Sequence, residues 1–284
     1  MAIKVYLSAG LGNQLFMIFA ALSYAIDKNF NFQIISYLNK TTNGTNTYWD
    51  SILDSFKYHI DTNVKAITEY DTVYKENGFS YVPIELEDNT VINGYFQSYK
   101  YFEHNFDKIC DIMQLDEKIM NVRNEYKHLF NNKTIALHFR FGDYLYLQNY
   151  HCIKTPVYYI EAIKELDRKL IEKGDSIINY DILYFCQKSD KEIVDKYLNL
   201  IDNILPHKLN FVKVSDDIED WKQMLLMSMC DNFIIANSSF SWFGAYFSQN
   251  KDKIVYRPKQ WFGPANSSLD TKDMCPDNWN VIDI

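Results

Sequence analysis

The segment Ile135-Ala136-Leu137-His138-Phe139-Arg140-Phe141-Gly142-Asp143-Tyr144 delivers a histidine, an arginine and an aspartate at the end of an apolar run. Strand alternation puts Ile135, Leu137, Phe139 and Phe141 on one face, and Ala136, His138, Arg140 and Gly142 on the other. An arginine on an otherwise apolar strand is costly unless a fixed anion meets it. Ligands of open α/β sheets bind at the carboxyl ends of strands. Two readings of this segment stand side by side: a phosphate on a small ligand, or an internal ion pair of Arg140 with Asp143.

Three other segments carry groups of chemical interest. Gly10-Leu11-Gly12-Asn13-Gln14 lies between a strand-like and a helix-like run. Its glycines let backbone approach a ligand, and a helix N-terminus presents free N–H groups and the positive end of a dipole. It lacks the third glycine and later acid of a dinucleotide fingerprint, so by itself it reads first as a tight turn. In Ile234-Ile235-Ala236-Asn237-Ser238-Ser239-Phe240-Ser241-Trp242 an apolar strand breaks directly into a helix. Capping explains one of its small polar residues; Asn237, Ser238, Ser239 and Ser241 together favour a phosphate contact as well. Ser215-Asp216-Asp217-Ile218-Glu219-Asp220 has the letters of an acidic metal motif, yet its spacing suits a helix start capped by Ser215 or Asp216. The sequence contains no Walker loop, nucleophile elbow or HExxH motif.

The elements that must position these groups follow from periodicity. Strands are predicted over 2–8, 32–36, 91–96, 134–141, 181–186, 210–214, 232–236 and, last, 253–257. Helices are predicted from the glycine turn to about Asp27, in two or more pieces over 98–131, from Pro156 with Thr155 as cap, from Ser189, across 218–230, and from about Ser239. Residues 49–90 read as irregular. Strand–helix alternation implies α/β architecture with parallel sheets, and the natural arrangement is two Rossmann-like halves facing one cleft.

Composition bounds the function. The chain has 284 residues, 47% hydrophobic and 16% aromatic, with a net charge of -8. It can bury a sizeable core, and its acidity argues against a nucleic-acid partner, though one local arginine suffices for a small anion. The five cysteines show no metal spacing, which points to a reduced, cytoplasmic protein. No signal peptide or membrane-spanning run is evident.

Taken together the motifs resemble the α-1,2-fucosyltransferases, inverting glycosyltransferase family 11. The likeness runs through Gly10 to Phe16, Gly94-Tyr95-Phe96-Gln97-Ser98, His138 to Tyr144, Leu226-Met227-Ser228, Ile235 to Ala245, and Pro258-Lys259-Gln260-Trp261-Phe262. It implies a GT-B-like fold with an N-terminal acceptor-side domain (1–131), a C-terminal donor domain (132–284) and the active site in the cleft between them. It implies GDP-fucose as donor, a glycan acceptor with a terminal galactose expected, and no metal. Arg140 would hold the diphosphate, and Asn13 would reach the phosphate and the acceptor hydroxyl. His138 and Asp143 would line the nucleotide side and are the candidate bases. Gly10, Gly12, Asn237, Ser238 and Ser239 would complete the donor site. Ser189 and Asp190 stand where the family has Phe-Ser-Asp-Asp. Acceptor loops are expected within 37–90. Two positions depart from the pattern: Phe141 replaces a second arginine and Phe243 a second tryptophan. Another nucleotide sugar on the same architecture, and a sugar-nucleotide binder that has lost catalysis, are the rival readings.

Overall fold

The computed structural model describes residues 2–70, 72–86 and 89–284. The chain forms two compact units, Met1–Lys118 with Leu269–Pro276, and Ile119–Ser268 with Asp277–Ile284.

The first unit contains β1 (Ala2–Tyr6), α1 (Leu11–Lys28), β2 (Asn31–Ile35), β3 (Ile60–Asp61), β4 (Val73–Lys75), β5 (Thr90–Asn93) and α2 (Phe106–Met113). Its strands form one sheet in the order β3-β2-β1-β5-β4, with each neighbouring pair parallel. Central Val5 lies between Ile34 and Ile92. The run Leu15–Ala25 of α1 is buried on every side, as its Leu, Phe, Met and Ala content dictates. The helix ends at Asn29, whose left-handed backbone (φ 54°) returns its N–H to the last turn. Leu269–Pro276, which a linear reading assigns to the second domain, belongs here through Asp273. That residue accepts from Tyr81 N (3.0 Å), pairs with Lys100 Nζ (2.6 Å) and receives the Ser98 hydroxyl at its carbonyl (2.7 Å).

The second unit takes in the end of α3 (Leu115–Glu125), then β6 (Lys133–His138), α4 (Pro156–Glu172), β7 (Tyr180–Phe185), α5 (Lys191–Ile204), β8 (Asn210–Lys213), α6 (Asp220–Ser228), β9 (Asn232–Ile234), α7 (Ser239–Tyr246), β10 (Val255–Pro258) and β11 (Asn280–Ile282). The sheet order β11-β10-β9-β6-β7-β8 is the doubly wound one. Its core joins Ile135, Leu137, Phe139 and Phe141 to Tyr158, Tyr159, Ile163 and Leu166 of α4 and to Val194 and Ile201 of α5. The predicted alternation therefore holds, with His138 on the other face against Phe240 (5.6 Å between rings).

Both units are Rossmann-like α/β layers, as expected. Several boundaries differ. The 134–141 strand stops at His138, although Phe139 N still bonds Phe185 O (2.9 Å). The 91–96 strand stops at Asn93, where the chain bends at Gly94, and Phe96 beyond it adopts a left-handed φ of 51°. The short strands β3 and β4, and the edge strand β11, were not legible in the pattern. α6 starts at Asp220 with Glu219 at its cap position, rather than Ser215 or Asp216. Ser215 instead accepts from Asp217 N (3.2 Å), and Asp216 pairs with Lys213. Thr155 does cap α4 by position, with Pro156 in the first turn, but its side chain makes no capping bond. Among the described residues no helix is long and apolar enough to cross a membrane.

Candidate active site

In the second unit the chain progresses outward through β7 and β8 on one side of β6, and through β9, β10 and β11 on the other. The crevice at a carboxyl edge where strand order reverses is the ligand site of such sheets. Here it lies between the ends of β6 and β9, which are followed by Arg140–Tyr144 and by Asn237–Ser239.

Three loops are laced together at this edge. The Tyr144 hydroxyl donates to Asn237 O (3.2 Å), joining the turn after β6 to the turn after β9. Asn237 Nδ2 donates to Cys152 O (2.9 Å) and Trp261 O (2.8 Å), which brings in the loop after β10. Lys154 Nζ adds a bond to Gln260 O (2.7 Å). Asn237 is thus a structural fastener, and its buried Oδ1 has no partner among the described residues.

The arginine sits at the centre. Arg140 Nη2 pairs with Asp143 Oδ1 at 2.5 Å, and its guanidinium lies 4.7 Å from the centre of the Tyr144 ring. The ion-pair reading of the segment is therefore realised in the structure. Its side chains are 23% and 58% exposed, so the pair is open to exchange with an incoming anion. Gly142 makes the turn possible. Its φ is +48°, and a Cβ there would lie 2.2 Å from Gln187 Oε1. Its N–H points at Asp190 (3.1 and 3.2 Å to the two carboxylate oxygens). Asp190 is 1% exposed and also receives the Ser189 hydroxyl (3.0 Å). Asp190 thereby holds the backbone of the Arg140–Asp143 turn. Ser189 is exposed and spends its hydroxyl on Asp190.

His138 is 6% exposed, and burial first, then Arg140, pull its pKa down to about 3. Its buried Nδ1 has no partner among the described residues. A neutral imidazole of this kind binds well and takes up protons poorly. Phe141, in the second-arginine position, is 1% exposed and packs edge-on against Tyr197 (5.2 Å).

The helix start after β9 separates its small residues by role. Ser238 caps α7, its Oγ accepting from Phe240 N (3.3 Å). Ser241 bonds back to Ser238 O (3.3 Å). Packing thus accounts for Asn237, Ser238 and Ser241. Ser239 is half-buried with no hydroxyl partner among the described residues, and it remains available to a ligand.

In the first unit the order reverses between β1 and β5. Gly10 caps α1 in an extended conformation (φ -76°), and a Cβ there would meet nothing within 4 Å. Gly12 is buried in the first turn. Asn13 Oδ1 accepts from Gln97 Nε2 (2.7 Å), and among the described residues the Asn13 amide N–H groups have no acceptor. Gln14 is fully buried and bonds Ala9 O (2.8 Å) and Asn46 O (2.7 Å), tying the loop after β2 onto the turn. A recess of about 510 Å³ lined by Ala2, Asn31, Tyr58 and His59 lies at the amino ends of these strands, away from both switch points.

The chain is 28% identical over 200 residues to the O-antigen biosynthesis glycosyltransferase WbnK of Escherichia coli, covering 67% of this chain and 61% of that protein. It is 25% identical over 306 aligned positions to an alpha-1,2-colitosyltransferase of Escherichia coli, covering 98% and 97%. Among solved structures, fucosyltransferase NodZ from Bradyrhizobium aligns with a TM-score of 0.42 at 12% identity, over 85% of this chain and 91% of that one. A glycosyl transferase family 9 structure from Veillonella parvula aligns with a TM-score of 0.46 at 9% identity, over 100% and 86%. The model of glycosyl transferase family 11 matches residues 54–283, and the chain belongs to that family.

Proposed function

We propose that the chain transfers L-fucose from GDP-fucose, with inversion and without a metal ion, to a hydroxyl of a glycan, the 2-OH of a terminal galactose being the expected position. Arg140 carries this reading: a half-buried guanidinium at the switch point of a doubly wound sheet, in a member of glycosyl transferase family 11. The acceptor oxygen forms its bond to the anomeric carbon as the bond to the β-phosphate oxygen breaks, and GDP leaves with that electron pair. Arg140 exchanges Asp143 for the phosphate and meets its growing charge. Ser239 and the start of α7 add donors. The Asn13 amide, beside Gly10 and Gly12, is assigned the hydrogen bond to the acceptor hydroxyl.

The exchange has a second effect. Asp143, more than half exposed, loses its cation and becomes the stronger candidate for taking the acceptor proton. His138, held neutral by burial, serves better as a hydrogen-bonding wall of the donor site. Arg140 and the helix start supply the positive charge for which other transferases employ a metal.

A second donor has its own support. The colitosyltransferase relative spans nearly the whole chain, and colitose is the 3-deoxy analogue of L-fucose. A pocket that does not bond the 3-OH distinguishes the two sugars weakly. Nucleotide release measured with GDP-fucose, GDP-colitose and UDP-galactose, with and without simple galactosides, tests both. Turnover of GDP-fucose is expected. A preference for GDP-colitose replaces the sugar, and preference for a uridine donor overturns the nucleotide. Tight GDP binding with no turnover across donors and galactosides favours the non-catalytic binder.

A further inference from the structure

The Gly94-Tyr95-Phe96-Gln97 segment holds a conformation its own residues disfavour. Phe96 is completely buried with φ at 51°, a region that bulky residues rarely adopt. Such backbone persists only where its surroundings over-determine it. One side chain does so. Glu76 Oε2 accepts from Tyr95 N (2.7 Å) and Phe96 N (2.8 Å), two successive amides aimed at one oxygen. Gly94 completes the fit, since a Cβ there would lie 2.3 Å from Glu76 Cβ. Phe96 is then wedged against Tyr74 (6.3 Å, stacked) and Tyr101 (5.3 Å, edge-on). The next residue, Gln97, grips Asn13 Oδ1 at 2.7 Å.

We propose that Glu76 is a positioning residue of the first unit, clamping the backbone of Tyr95 and Phe96 so that Gln97 holds the Asn13 carboxamide by its Oδ1 and leaves its N–H groups to donate. The role assigned to Asn13 rests on the transferase reading; the clamp itself does not. Glu76 Oε1 is buried without a partner among the described residues. Glu76 therefore does not present a free base to an acceptor. Burial, opposed by the two backbone bonds, pushes its pKa up to about 7. Both amides bond the same oxygen, so a neutral side chain of the same shape keeps the clamp.

Two measurements test the proposal on the full chain. Steady-state GDP release from GDP-fucose with a galactoside is expected to fall about 10–100-fold in kcat for Glu76→Ala and for Asn13→Ala, with donor KM within about threefold, the scale of a misplaced catalytic group. Glu76→Gln is expected within about threefold of the parent. The double variant Glu76→Ala/Asn13→Ala is expected to be no slower than Asn13→Ala alone. Hydrogen exchange of the 94–97 amides is expected to quicken in Glu76→Ala and to stay protected in Asn13→Ala and Glu76→Gln. An inactive Glu76→Gln with its amides protected overturns the proposal, as do additive losses in the double variant or unchanged exchange in Glu76→Ala. If Glu76→Ala does not fold, Glu76→Asp, whose carboxylate is one methylene short, is expected to show the same exchange and kcat loss. If the parent turns over no nucleotide sugar, the transferase reading fails and the exchange measurement still decides the clamp.

Discussion

The Arg140 guanidinium faces a choice of anions. Its partner Asp143 is largely exposed, and an exposed ion pair contributes little. A diphosphate brings more charge and a second oxygen for a bidentate contact. Arg140→Ala is therefore expected to lower kcat about 10²–10³-fold, the scale for losing one charge-stabilising donor. Near-parent turnover in that variant removes Arg140 from the chemistry. Glu76 allows a different test at the same scale. Its pKa rises from 4.5 to about 7 on folding. The folded state thus binds more protons than the unfolded state between those values, so stability falls as pH rises through that window and stays lower above it. Glu76→Gln removes the titration. Its melting temperature relative to the parent is expected to climb between pH 4.5 and 7.5, by the equivalent of about 2–3 kcal/mol. Parallel curves overturn this. Arg140 was legible because a charged residue on an apolar strand stands out. Glu76 was not, because its function lies in two backbone amides nineteen and twenty positions away, which no side-chain pattern records.

At the scale of elements, the turn after β6 is set from both sides. Phe141 anchors it in the core against Tyr197, and Asp190, at the start of α5, holds the Gly142 N–H. Phe141→Arg buries a guanidinium among aromatic side chains. It is expected to destabilise by several kcal/mol, seen as a lowered thermal midpoint, without tightening GDP in calorimetry. Tighter GDP binding would show that position 141 faces the donor after all. Asp190→Ala leaves the Gly142 amide unpaired and loosens the turn. A loss of about 10²-fold in kcat/KM is expected with the fold retained, since the arginine shifts rather than disappears. Strand alternation correctly separated Phe141 from Arg140, because period-two geometry persists past the last ladder bond. The bond from Asp190 to the Gly142 amide was not legible, since sequence proximity to a strand end does not say which backbone amide a carboxylate meets.

For the whole molecule, the long strands and their helices followed from periodicity, whereas β3, β4 and β11, of two to three residues, are too short to show a period. Their place is decided by tertiary pairing: β4 on β5, and β11 on β10. The C-terminal segment follows the same logic. Leu269–Pro276 belongs to the first unit, and the chain then completes the second sheet as β11. Asp273 is the fastener: 7% exposed, it meets Tyr81 N and Lys100 Nζ through its carboxylate and Ser98 through its carbonyl. Ser98 directly follows the Gln97 that holds Asn13. Asp273→Ala removes the carboxylate bonds to Tyr81 N and Lys100 Nζ, which is expected to cost about 1–3 kcal/mol, less than a fully buried pair because Lys100 keeps some water. Hydrogen exchange is expected to quicken at Tyr81 and across 98–101 while β6–β11 keep their protection. Asp273→Asn, which keeps one oxygen and the carbonyl contact, is expected to fall between. Uniform loss of protection in both sheets would instead mean that the two units unfold as one, and that the segment contributes to global rather than local stability.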